Sequence, residues 1–466
     1  MNAQHEKMIK MTTAPVKGLV VSLALPTIAS MLISSLYNMA DTFFVGRLGT
    51  FATAGVGLIF PLMTIFQAFG FFFGQGSGNY VSRALGADRQ QDGERMAAVG
   101  FFCALLMGGV FIALGLLFST PILSLLGAST KKVAQETVDH ARAYYSILLW
   151  GAPFVIASCV LNNQMRFQGN ALFSMIGLVS GAVLNMGLDP LFIFVFHMGT
   201  RGAALATILS QIVSFTVLLV GSYRSDSLNI RLKNLTLSPH YLGNMAAGGL
   251  PSLLRQGLGS VAALCLNTAA GAAVPLSQAD ASIAAFSIVS RVMFFVFSAL
   301  LGFGQGFQPV CGYNWGARRY DRVREAYLFC LSVGSLGLLL ISLGTFLFAP
   351  QIVALFRDDG AVVRIGTVAM RCQSCTLPLM AFVSISNMLF QTTGKTLRAT
   401  LLAVARQGLT FIPCVLLLPR LIQPALWGVY LSQPMADVMA FVMGLPMILR
   451  FLPRLPRAMV EKDLLP

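Results

Sequence analysis

Charged side chains are scarce in this chain. They make up 11% of its 466 residues, against 56% hydrophobic residues, whereas a soluble domain carries about 25% charged residues. A soluble core would not hide this much apolar surface. Mean hydropathy is +0.75, and uncharged runs of about 20 residues recur from end to end, each long enough to span a bilayer. The scarcity of charge excludes a soluble protein and indicates an integral membrane protein.

The apolar runs also lack the alternation of polar and apolar residues that marks the strands of a membrane β-barrel. In hydrocarbon every backbone polar group needs an internal partner, so continuous apolar runs favour helices. We predict an all-α membrane protein with twelve transmembrane helices. The predicted spans are 18–45, 51–82, 96–120, 136–165, 170–197, 201–223, 242–270, 281–312, 325–348, 359–392, 396–419 and 425–450.

Motifs for soluble chemistry and for metal binding are missing as well. The net charge of +15 would suggest nucleic acid in a soluble chain, but here the basic residues lie in short loops, so no nucleic-acid partner is expected. The one CxxC, Cys372 and Cys375, has no second ligand pair at zinc spacing. No HExxH motif or nucleophile–base set lies within the spans. We expect no cofactor, no metal site other than Na⁺ at the carboxylates described below, and no enzyme activity.

Lysine and arginine are unevenly divided between the two sides of the membrane. With the termini inside, the inner segments hold 20 of them, the outer segments eight, and the spans four. Cytoplasmic loops carry the excess of basic residues. The sequence therefore predicts a multi-pass protein of the cell membrane with both termini cytoplasmic.

The two halves of the chain resemble each other. The tetrapeptide Phe-Gly-Gln-Gly at 73–76 recurs at 303–306, and at the same offset of 230 Gly-Ala at 86–87 recurs at 316–317. Six spans per half give the repeats one orientation, with a pseudo-twofold axis along the bilayer normal. The predicted parts are an N-terminal tail (1–17), an N-lobe (18–223), a cytoplasmic inter-lobe loop (224–241), a C-lobe (242–450) and a C-terminal tail (451–466).

Glycines recur at a spacing of four within two spans. Gly70, Gly74 and Gly78 share one helix face, as do Gly302 and Gly306. In a membrane span such a face allows close helix packing. A phosphate-binding loop would instead need a strand before it and a helix after it. We therefore interpret both glycine series as helix-packing faces.

Carboxylates inside spans are costly and indicate function. Spans one and five run outward, and Asp41 and Asp189 lie about four and eight residues before their outer ends. Thr207 lies about six residues into span six. At about 1.5 Å rise per residue these depths agree within roughly 6 Å, so Asp41, Asn185, Asp189 and Thr207 are predicted to meet.

No Lys or Arg lies at that depth in these three spans. Two carboxylates without a basic partner share a proton or bind a cation. The alternative is that each aspartate only caps or hydrogen-bonds a neighbouring helix, as Gly46 and Gly49, which follow Asp41, would suggest.

The second half differs in charge. Its spans contain Arg255, Arg291, Arg371 and Arg406, with Asp437 as the clear intramembrane carboxylate. Arg291 and Asp437 both lie about a dozen residues from the outer surface. We expect them to form a structural ion pair that fixes helix register or acts as a gate.

The chain resembles the multidrug and toxic compound extrusion (MATE) family, most closely its MepA-like bacterial branch, over nearly its whole length. The residues that carry the resemblance are Leu25-Pro26, the segment Tyr37-Asn38-Met39-Ala40-Asp41-Thr42-Phe43-Phe44-Val45-Gly46, Gly74-Gln75-Gly76, Asn185 with Asp189-Pro190, Gly202-Ala203-Ala204 and Ala206-Thr207.

The resemblance implies two six-helix lobes that exchange a drug for Na⁺ or H⁺. It implies an N-lobe ion site at Asp41, Asn185, Asp189 and Thr207, with the carbonyl of Ala203 as a further ligand. Some members carry acidic ligands on helices seven and ten. Those helices show Arg255, Gln256 and Arg371 here but no mid-span Asp or Glu, which argues against a C-lobe cation site.

The sequence-based hypothesis is a secondary multidrug antiporter that exports lipophilic cations and supports antibiotic resistance. Its expected partners are organic cations and the lipid bilayer, and it is expected to be a monomer. Pro26 is the expected hinge, since proline interrupts helix hydrogen bonding. The expected substrate-cavity residues are Tyr37, Asn38, Gln67 and Asn163.

Two alternatives stay open. A flippase for lipid-linked sugars would have the same helical plan, but it needs a strongly cationic cavity for pyrophosphate. The arginines of the second half favour it, and the acidic first half argues against it. An intramembrane protease or acyltransferase would need a catalytic motif within the spans, and none is visible.

Overall fold

The computed structural model describes residues 3–128, 133–224, 228, 230–357 and 359–455. Throughout that part of the chain the regular elements are helices. The predicted outer-loop residues Lys131 and Lys132 and most of the predicted C-terminal tail lie outside the described residues.

The α-helices are α1 (Ala3–Thr13), α2 (Val16–Gly46), α3 (Thr50–Gly86), α4 (Gln90–Leu117), α5 (Ser119–Leu125), α6 (Gln135–Leu148), α7 (Ala152–Phe167), α8 (Ala171–Pro190), α9 (Gly199–Arg224), α10 (Pro239–Ala272), α11 (Ala279–Gly316), α12 (Tyr320–Leu347), α13 (Ala349–Phe356), α14 (Gly360–Ser374), α15 (Leu377–Thr392), α16 (Thr396–Val404), α17 (Ile412–Leu421) and α18 (Ala425–Phe451).

Ten helices of the described chain are long and apolar enough to cross a membrane, counting each with any short turn that continues it. The pair α14 and α15 forms an eleventh, bent by 52°. The remaining long helix, α10, has 34 residues and is less apolar, since it carries Arg255 and Gln256 in its middle. Together these confirm the expected all-α membrane fold with twelve spans.

The internal repeat is visible in the helix boundaries. The second-half helix α12 begins and ends 230 residues after α4, and α13 begins 230 residues after α5. The turns Ala87–Arg89 and Ala317–Arg319 match as well, with Asp88 and Arg318 both in the left-handed region (φ 55° and 58°). The two halves, residues up to 224 and residues from 239, are therefore built alike.

Two local features were not predicted. The N-terminal segment is not a plain tail, because α1 is helical and its Met11 carbonyl accepts a hydrogen bond from Asn314 Nδ2 at 3.1 Å. The span predicted over 359–392 is broken between Ser374 and Leu377, directly before Pro378 in the first turn of α15. Proline lacks an N–H and disfavours helix in the residue before it, so the chain bends there.

Both glycine faces are confirmed as packing faces. A Cβ added to Gly70 would lie 2.7 Å from Cys159 Cβ, one added to Gly74 would lie 2.9 Å from Asn163 Nδ2, and one added to Gly78 would overlap the Phe167 ring. The contacted residues are themselves four apart, so α3 and α7 pack with one close contact per turn. In the same way Gly302 and Gly306 of α11 contact Ile28 and Ala24 of α2.

The two halves touch backbone to backbone where α3 and α11 end. A Cβ on Gly86 would overlap the Tyr313 carbonyl, and one on Gly316 would overlap the Arg83 carbonyl. These contacts are related by the repeat, because Gly86 and Gly316 are 230 residues apart. We call this end of the bundle, which also carries α1, the closed end.

A buried polar network also joins the halves near the closed end. Arg166 of α7 donates to Gln305 of α11 and, at 2.6 Å, to Asn163 Oδ1, while Gln308 of α11 donates to Gln75 Oε1 of α3 at 3.2 Å. Arg166 is 1% exposed, and its Nε has no hydrogen-bond partner in the described part of the chain. Among the described residues no carboxylate lies within ion-pair distance of it.

Hydrogen bonds between the halves are confined to one side. Within the described residues the one farthest from the closed end joins Thr27 Oγ1 to the Gly302 carbonyl at 2.7 Å. Thr27 lies only about 17 Å along α2 from its first residue, at 1.5 Å per residue. Beyond this level the two halves share no hydrogen bond in the described chain, and we call that side the open end.

Candidate ion-coupling site in the first half

Two aspartates meet inside the first half, as the depth argument predicted. Helices α2 and α8 pack against each other, and the carboxyl groups of Asp41 and Asp189 lie within hydrogen-bonding reach. Asp189 is 0% exposed, and Asp41 is half-buried. Neither makes an ion pair with a Lys, Arg or His of the described chain.

Three oxygens of this site are buried and have no hydrogen-bond partner among the described residues. They belong to three side chains, namely Asp41 Oδ1, Asn185 Oδ1 and Asp189 Oδ2. Leaving such an atom unsatisfied costs free energy, and the cost is larger for a charged group. A proton on the pair, or a small cation between these oxygens, would satisfy them. Oxygen is the ligand atom that hard cations prefer.

The remaining predicted ligands lie beside the pair. Asn185 Nδ2 donates to Asp189 Oδ1 at 3.4 Å, one turn along α8. Thr207 of α9 donates its hydroxyl to the Ala203 carbonyl at 3.0 Å. All four residues are buried. The Ala203 carbonyl is thus already engaged within its own helix, and its role as an ion ligand stays a prediction.

Tyr144 completes the cluster and was missed from the sequence. It lies on α6, buried, within hydrogen-bonding reach of Thr207 and close to Tyr37, Asp41 and Asp189. It sits about eight residues inside its predicted span, which is the depth of Asp189. The depth argument would have found it if it had included tyrosine hydroxyls as well as carboxylates and amides.

The helix that carries Asp189 changes its winding immediately afterwards. Pro190 ends α8, and Leu191–Val195 continues as a π-helical turn in which the Phe196 N–H bonds to the Leu191 carbonyl at 2.9 Å. Such turns are common at functional sites. Here the wider turn directly follows Asp189.

The other predicted residues of this half occupy different surroundings. Tyr37 is half-buried beside Asp41, and Asn38 donates to the Ser34 carbonyl of its own helix at 2.7 Å. Gln67 is half-buried on α3. Asn163 belongs to the buried network near the closed end, where it accepts from Gln75 and Arg166. In this conformation Asn163 is therefore enclosed by protein.

The expected ion pair of the second half was wrong in one partner. Asp437 accepts from Arg406 Nε at 2.7 Å, and also from Thr376 and Gln433, whereas Arg291 is exposed and makes no ion pair. Equal depth does not define the direction of a side chain. Arg406 lies near the start of a π-helical segment, Ala405–Phe411, which packs against α18.

Taken together, a membrane bundle of two repeated halves with uncompensated carboxylates buried in one half defines a polytopic transporter. The family model described as MatE matches residues 26–191 and 262–416, more than half of the chain. The chain belongs to this family, the MATE transporters.

Curated and solved relatives agree with this assignment. The chain is 25% identical over 443 residues to the multidrug export protein MepA of Staphylococcus aureus, covering 94% of this chain and 96% of the relative. A crystal structure of MATE in complex with MaL6 is 26% identical, with a TM-score of 0.89 and coverage of 96% and 98%. A MOP superfamily transporter from Pyrococcus furiosus, described as having a binding pocket of reversed polarity that suggests a different function, is 25% identical, with a TM-score of 0.88 and coverage of 97% and 99%.

Proposed function

We propose that this protein is a multidrug efflux antiporter that exports lipophilic cations in exchange for H⁺ or Na⁺. The observation that carries the proposal is the Asp41–Asp189 pair. It has no basic partner among the described residues, and both carboxyl groups and the neighbouring Asn185 carry an oxygen without a hydrogen-bond partner there. The similarity to a multidrug export protein over 94% of the chain supports the substrate class. The outward-facing side would be the open end.

Coupling would follow from competition for one negative charge. A cationic drug and the coupling ion both gain from the charge of Asp41 and Asp189, so binding of one weakens binding of the other. This is coupling by differential affinity. When H⁺ or Na⁺ from outside neutralises the pair, the cationic drug is released, and the neutral site is less costly to bury during return.

Helix α2 has two features that would let its bend change when the ion binds. Pro26 interrupts its hydrogen bonding, since the Ser22 carbonyl loses its usual partner. Thr27, directly after it, is tied to Gly302 of the other half. The part of α2 beyond Ile28, which carries Asp41, makes no hydrogen bond to the second half among the described residues. Ion binding at Asp41 would therefore change the bend of α2 relative to the contact with α11.

A lipid-linked sugar is the alternative cargo. Pyrophosphate would need a cationic cavity, and Asp41 and Asp189 place negative charge in the first half instead. The ion-coupled drug antiporter accounts for these aspartates, and the flippase does not.

The test is efflux of ethidium from loaded proteoliposomes under an imposed Na⁺ or H⁺ gradient. We expect one of the gradients to drive efflux in the intact protein and Asp41→Asn to abolish it, because the amide keeps the shape but removes the charge. Asp280→Asn is the matched control, since Asp280 is exposed at the start of α11. Gradient-driven efflux unchanged in Asp41→Asn would overturn the coupling site.

A further inference from the structure

Two arginines in the middle of the second half have no partner. Arg255 of α10 and Arg291 of α11 make no hydrogen bond, ion pair or cation–π contact within the described residues. The other two intramembrane arginines are engaged: Arg406 by Asp437 at 2.7 Å, and Arg371 by the Phe346 carbonyl at 3.2 Å and the Phe346 ring. The lack of a partner is therefore specific to Arg255 and Arg291.

Both lie deep in the membrane-spanning part of their helices. Arg291 is about 18 Å along α11 from its first residue, and Arg255 is about 24 Å along α10, at 1.5 Å per residue. An arginine at such depth does not face lipid but a protein partner or a water-filled cavity. Since Arg291 is exposed and Arg255 half-buried, with no protein partner among the described residues, a cavity is the remaining choice.

The helix faces identify which cavity this is. Gly302, eleven residues or about three turns after Arg291, contacts Ile28 of the first half. Gly248 lies seven residues, or about two turns, before Arg255. A Cβ added to Gly248 would lie 3.2 Å from the Cα of Gly76 in the first half. At 3.6 residues per turn, Arg291 shares the face of α11 that contacts the first half, and Arg255 lies about two turns beyond the contact that α10 makes with the first half at Gly248.

Arg291 therefore lines the cleft between the halves, above the level where the halves touch, and Arg255 lies at a comparable distance beyond that level on the adjacent helix α10. Arg255 and Arg291 lie about 10 Å and 16 Å along their helices from Gly248 and Gly302. The two helices are neighbours, and α10 also packs on the π-helical segment of Arg406, where Gly259 approaches Gln407. The second half thus contributes two guanidinium groups, those of Arg255 and Arg291, that could bind an anionic group of a substrate in the cleft.

We propose that Arg255 and Arg291 form an anion subsite on the second-half wall of the cleft, which binds the carboxylate or phosphate of an amphoteric substrate. The proposal rests on the function proposed above and names its substrate class more narrowly. Such a compound presents its cationic group to the charge of Asp41 and Asp189 and its anionic group to the arginines. Guanidinium binds these anions with two parallel, charge-assisted hydrogen bonds.

The test compares two dyes that differ only in the anionic group: a cationic xanthene dye with a free carboxylate, and its methyl ester. Binding to the purified protein is followed by fluorescence anisotropy. In the double variant R255Q/R291Q we expect Kd for the carboxylate dye to rise about tenfold or more, since hydrogen bonds to charged groups contribute about 1.5–3 kcal/mol. The Kd of the ester is expected to stay within about twofold, which also shows that the variant is folded.

Two further variants control for position and charge. Arg371→Gln removes an intramembrane arginine that is already engaged by Phe346, so both dyes should bind as in the intact protein. R255K/R291K keeps both charges and should recover most of the affinity for the carboxylate dye. An equal loss of both dyes in R255Q/R291Q, or no change in either, would overturn the subsite.

A purely anionic amphiphile, dodecyl phosphate, tests the amphoteric part. We expect it to bind less tightly than the carboxylate dye. If it binds as tightly, and Asp41→Asn leaves the carboxylate dye unaffected, the subsite serves an anionic cargo and the amphoteric assignment is overturned. Gradient-driven efflux of the ester reports the proposed antiport separately, so failure of the subsite and failure of the antiporter are distinguishable.

Discussion

The carboxyl groups of Asp41 and Asp189 lie within hydrogen-bonding reach of each other, and neither has a basic partner in the described part of the chain. Like charges at this distance do not both persist without compensation. The pair therefore titrates as a unit, and its charge depends on what the surrounding solution supplies.

Cation binding should consequently be sensitive to acid. We expect ethidium affinity to fall as pH is lowered, because protons neutralise the pair that attracts the dye. The double variant D41N/D189N should bind weakly and show no such dependence. Fluorescence titrations at fixed ionic strength measure both. Unaltered acid sensitivity in the double variant would place the titrating group elsewhere.

The phenol of Tyr144 is expected to support the coupling site. Tyr144→Phe removes the hydroxyl that reaches Thr207 while keeping the ring, so gradient-driven efflux should fall about fivefold, the effect of one neutral hydrogen bond of about 1 kcal/mol. Tyr145→Phe is the matched control, because Tyr145 donates to the Gly115 carbonyl at 2.8 Å, away from the site. Equal losses in the two variants would indicate a general packing effect.

Pro26 is expected to control the rate of transport and not the affinity for the drug. Pro26→Ala restores an N–H for the Ser22 carbonyl and stiffens α2. We expect slower efflux at saturating ethidium with Kd within about twofold of the intact protein. Pro61→Ala, at an exposed proline within α3, should leave the rate unchanged. A Pro26→Ala protein that transports at the normal rate would remove the hinge from the mechanism.

The Arg406–Asp437 pair is expected to matter for stability. Asp437→Asn leaves a largely buried guanidinium without its counter-charge, which costs about 3 kcal/mol or more. The apparent Tm in detergent should fall clearly. The double variant R406M/D437L removes both charges and should recover most of the loss, since apolar replacements of buried pairs are often neutral. A double variant as unstable as Asp437→Asn would show that the shape of the pair matters more than its charge.

The sequence predicted contacts that follow from periodicity and depth. The spacing of Gly70, Gly74 and Gly78 defines a helix face whatever the partner is, and the structure supplies α7 as that partner. Counting residues from the membrane surface placed Asp41 and Asp189 at one level. Both arguments succeed because helix geometry is regular along the axis.

The sequence did not predict the direction in which a side chain points around its helix axis. Arg291 and Arg406 lie at similar depth, but in the described chain it is Arg406, in the π-helical segment, that pairs with Asp437. The bend at Pro378 was signalled by the proline, but it was hidden inside an otherwise continuous apolar run. Helix α1 was not predicted, and it contacts α11, which is distant from it in sequence.

Arg166 has a consequence for the permeability of the membrane. Its guanidinium lies in the polar network near the closed end, buried and without a carboxylate among its described neighbours. A fixed positive charge in a narrow passage raises the electrostatic barrier to protons and metal cations. The network that holds the halves together would thereby also limit leakage of protons and metal cations, as the proposed antiport requires.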